Sequence, residues 1–237
     1  MERLLDTRAA AGFLNVSEMT IRRWTNSGKL KCYRVGGKRE RRFYLSDLEA
    51  YLREPKNPAL KPLGLKGRKV PDGSHMTHFY SGREDSFEVS IPYLLEGIKQ
   101  GEALLAVMPP DRSRSLRGSM ERQGYPVGDW LETGRLTLSA GMYSPEEMIR
   151  YLVEFALNTN GFRMLGDMFW TVQNGWDLKA LSVLEKAPDR MPPIENGLLL
   201  CQYGLDDFSG ATIMMAAEWH RQTIYKGRLT ESPYYAR

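Results

Sequence analysis

Past residue 75 the chain repeats one pattern: short apolar runs of strand length alternate with longer stretches whose apolar positions recur every three or four residues. The pattern predicts strands at 76–80, 103–108, 136–139, 163–168, 198–203 and 223–225, and helices at 84–100, 112–123, 145–159, 177–186 and 208–219. Such alternation implies an α/β domain, a mostly parallel sheet with helices on both faces. Ser144-Pro145-Glu146-Glu147 marks one helix start sharply, with a cap, a proline at the first helical position and a carboxylate at the third. In folds of this kind the ligand crevice lies beyond the carboxyl ends of the strands. Those ends are Tyr80 and Ser81, Met108 to Asp111, Ser139 to Met142, Asp167 to Trp170, and Cys201 to Gly204.

The first 52 residues follow another rhythm. Asp6 or Thr7 caps a helix carrying Ala9, Ala10 and Leu14, and the turn Asn15-Val16-Ser17 leads to a second helix over 17–27. Met19 or Thr20, Ile21 and Trp24 mark its apolar face, with Trp24 read as core, while Arg22, Arg23 and Asn26 point away. An alternating stretch over 31–35, the pair Gly36-Gly37 and a return over 41–45 predict a hairpin, and Ser46-Asp47-Leu48-Glu49 reads as the capping box of a closing helix. The segment 53–74 holds Pro55, Pro58, Pro62 and Pro71 with no apolar period, so it reads as a basic tether. The expected division is therefore 1–52, 53–74 and 75–237.

Charge sharpens that division. Nine of the 21 residues from 22 to 42 are Lys or Arg, and residues 1–72 carry net +9 against −5 for residues 73–237. A cationic head and a mildly acidic body imply two jobs, the first being to grip a polyanion. Ser17, Thr20, Arg22 and Arg23 lie on the first turns of the second helix, where side chains reach base edges in a major groove. Lys38, Arg39, Arg41 and Arg42 flank the hairpin turn, placed for backbone or minor-groove contact, and Lys29 and Arg34 complete the basic surface.

Several function classes lose ground. After the first strand of the body, Ser81-Gly82-Arg83-Glu84-Asp85 lacks a phosphate loop and places carboxylates where a polyphosphate needs amides and a lysine, and neither a nucleophile elbow nor HExxH occurs. No apolar run is long enough for a membrane span, no export signal opens the chain, and a cytoplasmic protein is expected. Cys32 and Cys201 fall in different parts, which suggests neither a disulfide nor a structural zinc site.

Thr7-Arg8-Ala9-Ala10, Val16-Ser17, Thr20-Ile21-Arg22-Arg23-Trp24, Gly28-Lys29-Leu30, Arg34-Val35-Gly36-Gly37 and Ser46-Asp47-Leu48 together resemble the winged helix-turn-helix of the MerR, excisionase and BldC group. His75 to Tyr80, Pro92 to Gly97, Gly101-Glu102, Gly166 to Trp170, Cys201-Gln202-Tyr203, His220 and Ser232 to Tyr235 resemble the MEDS sensory domain of DcmR-type regulators, whose sheet is related to that of RecA and KaiC. The resemblance implies a three-layer α/β/α body and a one-component transcription regulator, a repressor in the first reading, that senses a small hydrocarbon or one-carbon derivative. Expected partners are double-stranded DNA, a small-molecule effector and further copies of the chain, as a homodimer or larger oligomer. Phe79, Tyr80, Phe169, Trp170 and Tyr203 would wall the ligand pocket, with Asp167, His75, Cys201 and His220 as polar handles. His75, Cys201 and His220 suit either a polar or a soft-metal site. Without a short ligand spacing, no metal and no cofactor are assigned. A DNA-tethered nucleotide-binding or thiol-dependent enzyme, and an excisionase-like architectural protein, stand as alternatives.

Overall fold

A computed structural model describes residues 4–26, 29–37, 39–53, 59–190 and 196–235 of the chain. They fall into two compact units, Met1–Asn57 and Pro58–Arg237.

In the first unit α1 (Thr7–Phe13) starts where Asp6 accepts the Ala9 N–H at 2.7 Å. Asn15, left-handed at φ +53, turns the chain into α2 (Glu18–Asn26), where Ser17 Oγ accepts the Thr20 N–H. The wing pairs β1 (Tyr33–Val35) with β2 (Glu40–Arg42), Val35 facing Glu40. Among its described residues the left-handed positions are Gly36 and Arg39 rather than two adjacent glycines. Leu5 bridges Phe43 as a third edge. The closing helix α3 (Leu45–Arg53) begins one residue before Ser46, so the expected cap lies inside its first turn. Ala10, Ala11, Ile21, Trp24, Leu30, Phe43 and Leu48 form one small core. Burying these seven side chains is what stabilises so short a unit.

The second unit begins with a hairpin, β3 (Leu60–Pro62) and β4 (Lys69–Pro71), inside the stretch expected to be a tether. That expectation is corrected for the described residues 59–74. Leu63 and Val70 are fully buried in the core of this unit, and Gly64 (φ +89) comes so close to the helix that carries Pro92 that a Cβ would lie 2.2 Å from the Pro92 carbonyl oxygen. The two apolar residues that help dock the segment are well spaced but make no period.

There follow β5 (His75–Tyr80), α4 (Gly82–Lys99), β6 (Ala103–Val107), α5 (Pro110–Arg122), α6 (Val127–Glu132), β7 (Leu136–Ser139), α7 (Pro145–Leu157), β8 (Phe162–Asp167), α8 (Phe169–Gln173), α9 (Leu178–Glu185), α10 (Ala187–Arg190), β9 (Gly197–Gly204), α11 (Gly210–Trp219), β10 (Gln222–Tyr225) and β11 (Arg228–Glu231). The sheet order is β11-β10-β5-β9-β8-β6-β7, parallel throughout except for the β10–β11 hairpin. Alternate residues feed opposite faces: Leu104 and Ala106 of β6 join a core capped by α4, α5 and α6, while Leu105 and Val107 join one capped by α7, α8, α9 and α11. The result is the expected three-layer α/β/α body. Arg163 interrupts the apolar run of β8 and is completely buried. It donates to Glu102 from Nε at 2.5 Å and to the carbonyls of Pro62, Leu63 and Tyr93, which ties the entry hairpin to the sheet.

Candidate DNA-binding face and sensor site

The basic residues of the first unit divide into those that brace the fold and those that stand exposed. Arg41 donates to Thr25 Oγ1 at 2.9 Å and Asn26 Oδ1 at 2.7 Å, so it fastens the wing to α2. Arg42 pairs with Glu40 at 2.6 Å and Arg22 with Glu18 at 3.4 Å. Ser17 serves as the helix cap, and Thr20 is buried with its hydroxyl 2.9 Å from that of Ser17, which turns it inward rather than toward a groove. Arg23 does not point away either: it is half-buried, with Nε and Nη2 enclosed and without a hydrogen-bond partner among the described residues. Its place on the same side as Thr20 and Trp24 follows from the helical phase. Lys29, Arg34 and Arg39 are exposed, with Arg34 reaching the Arg39 carbonyl at the wing tip. Lys38 lies outside the described residues.

In the second unit the residues expected at one crevice occupy two places. Tyr80 and Asp167, at the carboxyl ends of β5 and β8, meet Arg112 of α5 and Asp207. Arg112 Nη1 contacts both Asp167 oxygens at 2.8 and 3.0 Å, Nη2 contacts Asp207 at 2.8 Å, and the guanidinium stacks 4.3 Å from the Phe169 ring centroid. The guanidinium is thus held between two carboxylates at the carboxyl end of the sheet, its charge offset by theirs. A pocket of about 180 Å³ remains beside it, lined by Tyr80, Arg83, Ser86, Arg112, Asp167 and Asp207 among others.

The other residues converge on the face covered by α9 and α11. His75 opens β5, Cys201 lies midway along β9 and His220 follows α11. Their meeting point is therefore flanked by helices and displaced from the strand ends where the crevice was expected. His75 Nε2 lies 2.8 Å from His220 Nε2, 3.3 Å from Cys201 Sγ and 3.2 Å from a carboxylate oxygen of Glu185, which is also 3.2 Å from His220 Nε2. The Tyr203 hydroxyl donates to the other Glu185 oxygen, and Phe79 packs against the Tyr203 ring. Burial alone would raise the Glu185 carboxyl; the His220 and His75 imidazoles beside it more than offset that and hold it below the ordinary carboxylate range. Burial, reinforced by the Glu185 charge, pushes the Cys201 thiol and the Tyr203 phenol up. Beside this cluster runs an apolar cavity of about 80 Å³, walled by Val107, Met148, Leu152, Met164, Trp170 and Leu199, with His75, Glu185 and Cys201 as its polar rim.

Glu185 was missed in the sequence, although a signal was present: Leu181, Leu184 and Glu185 share one helical phase, which places a carboxylate on the buried side of α9. Arg112 and Asp207 carried no such signal, since both sit in polar stretches that read as surface.

A family model described as the MEthanogen/methylotroph, DcmR Sensory domain (MEDS) matches residues 74–221, more than half of the chain. The chain belongs to the MEDS family. A helix-turn-helix domain model matches residues 4–56. The MEDS protein described here is 33% identical over 248 residues to the transcriptional repressor DcmR of Methylorubrum extorquens, covering 94% of this chain and 91% of that one. Among solved structures it is similar to a KaiC-like protein from Pyrococcus horikoshii OT3, with a TM-score of 0.53 and 17% identity over 71% of this chain and 77% of that chain. That likeness concerns the fold, and it agrees with the sheet described above. No helix among the described residues is long and apolar enough to cross a membrane.

Proposed function

We propose that this MEDS protein is a one-component, DNA-binding transcriptional repressor whose C-terminal domain senses a small, largely apolar molecule of one or a few heavy atoms. The supporting observation is the joining of a winged helix-turn-helix to a MEDS domain in a chain that aligns along nearly its whole length with a transcriptional repressor. The ligand class is supported by the cavity. An apolar cavity of about 150 Å³ takes benzene, so the roughly 80 Å³ here suits a hydrocarbon or one-carbon derivative with one polar contact to His75, Glu185 or Cys201. Phe79, Tyr203 and His220 support that rim from behind, while Tyr80 and Asp167 belong to the Arg112 junction.

A single reading head of this size has limited affinity, so the functional form is a homodimer or larger assembly on neighbouring half-sites. Ligand acts by binding the DNA-competent and incompetent states unequally. The test is fluorescence anisotropy of full-length protein on the duplex upstream of its own coding sequence, with and without halomethanes, methanol and methylamine. Specific binding that one such compound weakens at least several-fold is the expected result. Absence of duplex binding at low ionic strength would overturn the DNA reading, and binding indifferent to every small ligand would overturn the sensor reading.

A further inference from the structure

Four side chains capable of ligating a metal meet in the buried cluster, from positions far apart in sequence: His75, Glu185, Cys201 and His220. Their ligand atoms all lie within 4.8 Å of one another. An ion of the zinc class, bonded at about 2.0–2.1 Å to nitrogen and 2.3 Å to sulfur, holds its tetrahedral ligand atoms roughly 3.3–3.8 Å apart. The short separations of 2.8, 3.2 and 3.3 Å need to open by about half an ångström at most, and the wider ones, within 4.8 Å, to close, for the four atoms to surround one.

We propose that these four residues form a site for a divalent transition-metal ion, with the apolar cavity on its accessible side. The donor set is two imidazoles, one thiol and one carboxylate, which suits zinc, cobalt or iron and disfavours magnesium and calcium. Orientation is built in. The Ala216 carbonyl can only accept, so at 2.7 Å it fixes the hydrogen of His220 on Nδ1 and directs Nε2 to the centre. The Tyr203 hydroxyl holds one oxygen of Glu185 and leaves the other facing both imidazoles. Two Nε2 atoms 2.8 Å apart each present a lone pair or a proton to the other, so an empty cluster must keep a proton between them. A cation takes that place without needing a proton. Cys201 binds as thiolate, its proton leaving to solvent. His75, Glu185 and Cys201 also border the cavity while His220 does not, so a small molecule entering the cavity meets the ion from that side.

For its purpose this inference rests on the sensor reading, but its test does not. Full-length protein is stripped with chelator and titrated with Co²⁺ under anaerobic conditions. The expected result is about one equivalent bound, with an intense thiolate-to-cobalt band in the near ultraviolet that Zn²⁺ abolishes. The band survives Cys32→Ser and is lost in Cys201→Ser. Tyr203→Phe, which removes the support of Glu185, weakens binding by about 10-fold or more while the band remains. Wild-type protein that gives no band, or a band that follows Cys32 instead of Cys201, overturns the proposal. A metal that binds as described while no small molecule alters DNA affinity would leave the site standing and defeat the sensor reading alone.

Discussion

Removing Glu102 exposes how the entry hairpin is held. Arg163 is fully buried, and Glu102 is the carboxylate that neutralises it, at 2.5 Å, with Lys61 2.6 Å from the other oxygen. In Glu102→Ala the guanidinium keeps the Pro62, Leu63 and Tyr93 carbonyls but loses its counter-charge in a dry environment. Breaking a buried pair from one side costs about 3–5 kcal/mol, a large share of the roughly 5–15 kcal/mol that holds a typical domain. For a unit of this size that lowers the unfolding midpoint by about 6–20 °C. Differential scanning calorimetry of the full-length protein reads this directly as a shift of one transition. Leu63→Ala, which empties a buried site on the same hairpin, costs a comparable 2–5 kcal/mol in the same transition. A loss below about 1 kcal/mol in both variants would refute the docking of this hairpin and restore the tether.

Other outcomes follow from the same reasoning. Arg39→Ala, at the exposed wing tip, lowers DNA affinity evenly across sequences and reduces the slope of log affinity against log salt by about one, whereas Arg41→Ala also loosens the first unit because it frees Thr25 and Asn26; salt titrations and thermal melts separate the two. Gly141→Ala places a methyl 2.1 Å from the Trp170 ring at a residue with φ +84, so Trp170 must leave the cavity wall, and its fluorescence shifts while the melting temperature falls. Burial lowers His78 from 6.5 to about 4, against the pull of Asp85. The unfolded chain therefore takes up the extra proton. This contribution is complete above about pH 6.5 and is lost as pH falls toward 4, worth about 3 kcal/mol at most, and urea titrations of His78→Gln show a flatter stability profile across that window.

The repeating pattern of apolar runs determined the strand and helix order of the body because sheet faces and helix faces bury residues at fixed periods, and those periods are local. The winged head was legible for the same reason, as were the Asp6 cap, the Ser144 cap and the charge division. The short helices over Val127–Glu132 and Phe169–Gln173 were not, since one or two turns give too few repeats for a period. Nor was the docking of 59–74, where two apolar residues and a distant arginine do the work. Sequence also singled out His75, Cys201 and His220, but expected them at the strand-end crevice with Tyr80 and Asp167. Their distance from one another depends on which strands lie side by side: β5 pairs with β9, and Glu185 and His220 reach the same point from two helices. Parallel pairing joins residues more than a hundred positions apart, and nothing in a local pattern encodes which partner is chosen. Tertiary structure alone decided that the polar cluster sits against the apolar cavity, and that Arg112 joins Asp167 and Asp207 at the crevice where an α/β sheet would ordinarily bind its ligand.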